Sequence, residues 1–184
     1  MNRLQRAVVL LTMLDALKRR GSWCGETHLQ KSVYFLVELC AVPLGYSFVL
    51  YRHGPYSFEL SDEVTALRAD MLLDLEPRPP YGPTLVAGEN AARLLSYFET
   101  TRRRYKPSID FVAARLGRFS VVELERLATA LYVTKESPAC KDINFRAARL
   151  NAFKPHIPIE SAERAVRDID DTIREVTTLV QRPN

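Results

Sequence analysis

Apolar positions recur at helical spacing along most of this chain. Leu4, Val8, Leu11, Leu14 and Leu17 form one stripe and predict a helix over about 3–20. Lys18, Arg19 and Arg20 suit its C-terminal dipole, and Gly21 can end it. Thr27 can cap a second helix with the stripe Leu29, Val33, Leu36 and Cys40, stopped by Pro43 and Gly45. The pattern then changes. Tyr46-Ser-Phe-Val-Leu-Tyr-Arg52 alternates and is rich in aromatic and β-branched types, which predicts a strand, and Gly54-Pro55 signals a turn.

Helical spacing returns at Leu60, Val64, Leu67 and Met71 and predicts a third helix over about 57–72. Leu73–Pro77 and Pro83–Ala87 flank Arg78-Pro-Pro-Tyr-Gly82 and predict a hairpin with a stiff tip. A fourth helix is expected over about 89–105, broken at Pro107, where a fifth opens with Val112 and Leu116 inside. Ser120-Val-Val-Glu123 has the capping-box form and precedes Leu124, Ala128 and Leu131. A short helix is expected near 142–151 and a last one over about 159–181. In the last, Ala162, Val166, Ile169, Ile173, Val176 and Val180 alternate four and three apart, like a heptad seam. Such a seam packs either on the chain's own core or on a second copy as a homodimer.

The expected class is therefore α+β, mostly helical. The first part, 1–88, has the order of a winged helix-turn-helix, and 89–184 reads as an all-helical extension packed on it. Hydrophobic residues at 47% and charged residues at 26% fit a globular chain. The longest apolar run, Ala7–Leu11, is too short for a membrane span, and no secretory leader is legible, so a cytoplasmic location is expected. Membrane-surface binding is disfavoured, because Pro107 interrupts the basic 89–118 region. Cys24, Cys40 and Cys140 lack C-x-x-C spacing and read as free thiols.

Two segments resemble known chains. Leu29-Gln-Lys-Ser-Val-Tyr-Phe-Leu36, followed by Gly45-Tyr-Ser-Phe-Val-Leu-Tyr-Arg-His-Gly-Pro-Tyr-Ser-Phe-Glu-Leu60, resembles the YwgA-like family and, more distantly, the Panacea domain of antitoxin-like proteins. Lys154-Pro-His-Ile-Pro-Ile-Glu160 is similar to the segment ahead of the last helix in YwgA-like chains. The resemblance is clearest over 27–67. It implies a winged-helix-like fold, a prokaryotic setting of regulation, toxin neutralisation or phage defence, and a protein partner. It singles out the turn Arg52, His53, Gly54, Pro55, Tyr56 and Ser57 as structural or binding, and it transfers no catalytic residue.

Catalytic signals are weak. His28, His53 and His156 lie in separate segments without metal-ligand spacing, and no nucleophile elbow or phosphate-cradling glycine loop occurs. No enzyme, cofactor or metal is expected.

Charge separates two binding readings. The third helix carries Glu59, Asp62, Glu63 and Asp70 against Arg68 alone, so phosphates would repel it from a major groove. Basic charge gathers in 101–118, where Arg102, Arg103, Arg104, Lys106, Arg115 and Arg118 face one acid. These six are candidates for nucleic acid or an acidic protein surface. The leading expectation is a non-catalytic regulatory module that engages a protein. The alternative is a DNA-binding regulator using 102–118 and the hairpin, with an uncharacterised enzyme third.

Overall fold

The computed structural model describes residues 1–180, and the side chains of 1–178. It contains eight helices and two small antiparallel sheets among the described residues, so the chain is α+β and mostly helical. No described helix is long and apolar enough to cross a membrane.

The chain forms two compact units. One comprises Met1–Val49 and Tyr56–Phe119; the other comprises Leu50–Pro55 and the chain from Ser120 onward. The division falls after Phe119, because the helical segments before it pack on the first helix and those after it pack on one another.

In the first unit, α1 (Arg3–Arg19) starts at a capping box, with Asn2 and Gln5 bonding each other's backbone. It is buried almost all round from Ala7 to Leu17, sparing only Asp15, which makes it the central helix of this unit. Next along the chain come α2 (Glu26–Glu38), β1 (Val49–Tyr51) and β2 (Gly54–Tyr56), whose residues 50–55 belong to the second unit, then α3 (Phe58–Ala69), β3 (Leu73–Arg78) and β4 (Tyr81–Ala87). The strand expected over 46–52 is cut to three residues. The turn is Arg52–His53, and Gly54-Pro55 belongs to β2, with Gly54 at φ +85°. Tyr46 is instead buried, and Phe48 packs edge-on against Tyr34 at 5.0 Å between ring centroids. β3 and β4 pair from Leu73↔Ala87 to Arg78↔Tyr81, with an irregularity between Glu76 and Arg78. The tip is thus only Pro79-Pro80.

The helix expected over 89–105 is two pieces. α4 (Ala91–Tyr97) ends at Phe98, and α5 (Glu99–Leu116) runs on through Pro107. Proline there removes one backbone bond and crowds the carbonyl of Arg103. Its ring is exposed, on the solvent side, which is the convex side of a helix that curves around its core. Burial of Ile109, Val112, Ala113 and Leu116 against α1 and α2 offsets the loss, and Lys106–Asp110 spans the site one turn apart. The proline therefore does not break the helix.

In the second unit, α6 (Val121–Glu136), α7 (Ile143–Phe153) and α8 (Ile159–Val180) pack on one another. Ser120 and Glu123 complete the predicted capping box of α6. Ala162, Val166, Ile169 and Val176 are buried, and Ile173 is half-buried. Their stripe faces α6 and α7 of the same chain, so these positions of the heptad-like seam pack intramolecularly. The side chain of Val180, also assigned to that seam, lies outside the described residues. Arg146 of α7 is almost fully buried and holds Asp170 of α8 through two bonds of 2.7 Å.

Candidate functional site

The Arg52–Ser57 motif serves two anchoring roles. At its C-terminal end, Ser57 caps α3 by accepting from Leu60 N, and its backbone exchanges two 3.0 Å bonds with the buried Gln30 amide. Tyr56 donates to Glu26 Oε1 at 3.1 Å. These contacts give a physical reason for the paired L-Q-K and P-Y-S motifs, since Gln30 and Ser57 are direct partners.

The turn end of the motif joins a cluster in the second unit. Lys154 caps α7 and is buried; its ammonium donates to Tyr51 O at 2.9 Å and to Arg52 O. The same Nζ lies 3.0 Å from Oε1 of the buried Glu125 on α6, a contact of opposite charges outside hydrogen-bond alignment. His53 Nδ1 and His156 Nε2 stand 3.7 and 3.6 Å from that carboxylate, with side chains 67% and 61% exposed. Lys154 and His156 belong to the 154–160 segment noted in the sequence, but Glu125 gave no signal. It sits within an ordinary amphipathic helix. Among the described residues no group of three or more side chains is arranged to hold a metal. Here the Lys154 ammonium supplies the positive charge beside the carboxylate. Chemically, the cluster fixes a turn to a helix end.

His28 is used in packing. Its Nε2 lies 3.2 Å from Leu116 O, and burial lowers its pKa, opposed by that bond. Leu116 O can only accept, so Nε2 carries the hydrogen of this bond.

The basic segment does not form one stripe. Arg102, Arg103, Arg104 and Lys106 are exposed on α5, and Arg118 is exposed just beyond it. Arg103 pairs with Glu99 at 2.7 Å, and Lys106 pairs with Asp110. Arg115 is half-buried. Arg104 stands over the Tyr105 ring, 5.6 Å from its centroid. Arg102, Arg104 and Arg118 have no acidic partner among the described residues.

The acidic helix is also divided. Glu63 is buried and held by Arg3 at 3.2 Å and Arg6 at 2.9 Å, both from α1; Asp70 also pairs with Arg3 at 2.5 Å. Glu63 therefore fixes α3 to α1 and is not part of a displayed acidic face. Glu59 and Asp62 do face solvent. The pKa of Glu59 is lowered by the Ser57 hydroxyl, which keeps it ionised.

A half-open cavity of about 270 Å³ lies beside this helix. Its apolar walls are Trp23, Val64, Leu75, Pro83 and Leu85, and α3 also contributes Ser61, Thr65 and Arg68. Trp23 is the only tryptophan. A Cβ on Gly25 would lie 2.0 Å from two carbons of its ring, so glycine is what lets the indole lie over the start of α2. Arg78, near the hairpin tip, stacks on Trp23 at 5.0 Å and on Tyr81 at 5.1 Å. Glu26 adds a carboxylate to the cavity wall and accepts from Ser61 as well as Tyr56, each at 3.1 Å. Sequence periodicity placed the walls on α3 and the hairpin but could not show that Trp23, outside every stripe, closes a cavity between them.

No protein-family model matches the chain, and no curated protein matches it.

Proposed function

We propose that this protein is a non-catalytic regulatory module of winged-helix type that binds a protein partner through α3 and the β3–β4 hairpin. Its setting is cytoplasmic and prokaryotic, in an antitoxin-like or phage-defence-associated role; that context rests on the motif resemblance over 27–67. The winged-helix reading draws on element order. Three helices precede a hairpin, and Leu85 N of that hairpin bonds Cys24 O just ahead of α2 at 2.9 Å, in the place of a third short strand.

Exposed charge is the observation that carries the partner assignment. Glu26, Glu59, Asp62, Asp74 and Glu76 stand exposed on α2, α3 and the hairpin against Arg68 and Arg78. A duplex held there would meet like charge and release few counterions. A basic protein surface meets the opposite condition. The cavity beside α3 supplies the concave apolar centre that protein recognition uses.

A second reading, DNA binding through α5, draws on the exposed Arg102, Arg104 and Arg118. Anisotropy of a labelled duplex at two salt concentrations separates the two. The proposal expects no tight binding at either salt. Salt-sensitive binding abolished by Arg102→Ala/Arg103→Ala/Arg104→Ala would overturn it.

A further inference from the structure

We infer that the Trp23 cavity receives a short extended segment of the partner, with a basic side chain at the Glu26 end, apolar side chains between, and an acidic side chain at the Arg68 end. This inference rests on the proposed protein-binding role of α3 and the hairpin. The order follows from where the cavity's charged groups stand. Glu26 is fixed beside Ser61, and both of its hydrogen bonds fall on Oε1, which leaves Oε2 for a ligand cation. Arg68 lines the same cavity seven residues after Ser61 on α3 and has no acidic partner among the described residues. At the helical rise of 1.5 Å per residue, the two ends stand roughly 10 Å apart. That span exceeds a single amino acid and matches about three residues of extended chain. Between the ends lie Val64, Leu75, Leu85 and the Trp23 ring, a surface for aliphatic or aromatic side chains. A volume of about 270 Å³ suits the aliphatic side chains at the middle of such a segment.

The indole is already oriented for contact. Gly25 lies behind it, and Arg78 holds it from the hairpin, so little ordering remains on binding. Gly82 offers a direct means of blocking the site. It lines the cavity, has no left-handed φ, and an added Cβ meets nothing within 4 Å. A leucine there is compatible with the fold and takes up ligand space.

Because Trp23 is the sole tryptophan, its emission reports occupancy. The probe is the capped peptide acetyl-Ala-Lys-Leu-Leu-Glu-Ala-amide, compared with its uncharged form, acetyl-Ala-Gln-Leu-Leu-Gln-Ala-amide. We expect a saturable emission change with the first and about tenfold weaker binding of the second, from loss of two rim charge pairs. Glu26→Gln/Arg68→Gln removes the preference, and Gly82→Leu removes binding of both while leaving the far-UV spectrum unchanged. Equal affinity for the two peptides, no saturable change with either, or undiminished binding to Gly82→Leu overturns the inference. A photo-crosslinker at Asp62 distinguishes the two levels. A discrete protein adduct in cells together with peptide failure overturns only the ligand order, whereas loss of both overturns the binding role itself.

Discussion

Replacing Lys154 with Met tests the cluster that fixes the Arg52–His53 turn. Methionine retains most of the aliphatic stem, so the loss is that of the ammonium. Three contacts go with it: the charge pairing with Glu125 at 3.0 Å and the donations to the carbonyls of Tyr51 and Arg52. Lys154 and Glu125 side chains are each only 7% exposed, so water cannot restore the pairing cheaply. Orphaning one member of a buried pair costs about 3–5 kcal/mol. That is a large share of the roughly 5–15 kcal/mol that holds a typical domain. Glu125→Gln in the same chain removes the orphaned charge, so the double variant should be more stable than Lys154→Met alone. Amide exchange is the appropriate assay, because it reads α6, α7 and α8 separately from the first unit. Protection there should fall at least a hundredfold in Lys154→Met and recover in part in the double variant. A loss under 1 kcal/mol, or no recovery, would refute the argument.

Three further outcomes follow from ionisable groups that the fold perturbs. The depressed pKa of His28 means that the unfolded chain binds its proton first as pH falls. Stability should therefore be full above the ordinary histidine value of about 6.5 and decline below it, and His28→Gln should flatten that part of a melting-temperature profile. The Arg146 hydrogen bond holds the Asp170 carboxyl below its ordinary range, so its contribution is present above about pH 4 and is lost as pH falls through its lower folded value. Asp170→Asn should cost about 2–4 kcal/mol in urea unfolding at pH 7 and reduce acid sensitivity; Asp170 is 31% exposed, which keeps the effect below that of Lys154→Met. Burial pushes the Cys40 thiol up to about 11, against an opposing Ser108 hydrogen bond. Iodoacetamide at pH 8 should then label Cys40 at least about tenfold more slowly in the folded than in the denatured protein. Equal rates would contradict its burial.

Local rules located most elements, because helix stripes and caps depend on near neighbours. The Ser120–Glu123 capping box and the stripe Leu60, Val64, Leu67 appear where spacing put them. Local rules run out where distant partners decide. Pro107 reads as a breaker in isolation, yet α5 continues because its buried face is held by α1 and α2. The α8 seam is a correct apolar stripe, but its partners, α6 and α7, cannot be distinguished from a second copy by spacing. The same holds for the site. The acidity of α3 was legible, but the removal of Glu63 by Arg3 and Arg6 was not, since those arginines lie almost sixty residues earlier. The resemblance drew attention to Gln30 and to the Pro55-Tyr56-Ser57 stretch, and Gln30 bonds the backbone of Ser57. Trp23 and Glu125 had no periodic signature; tertiary packing alone brings them to a cavity and to a buried ammonium.

The partner-binding role is tested most directly by a photo-crosslinking residue at Asp62, activated in cells that express the full chain. A discrete protein adduct, lost when Gly82→Leu fills the neighbouring cavity, is the predicted result. Crosslinking to nucleic acid, or a protein adduct that Gly82→Leu leaves undiminished, would contradict it.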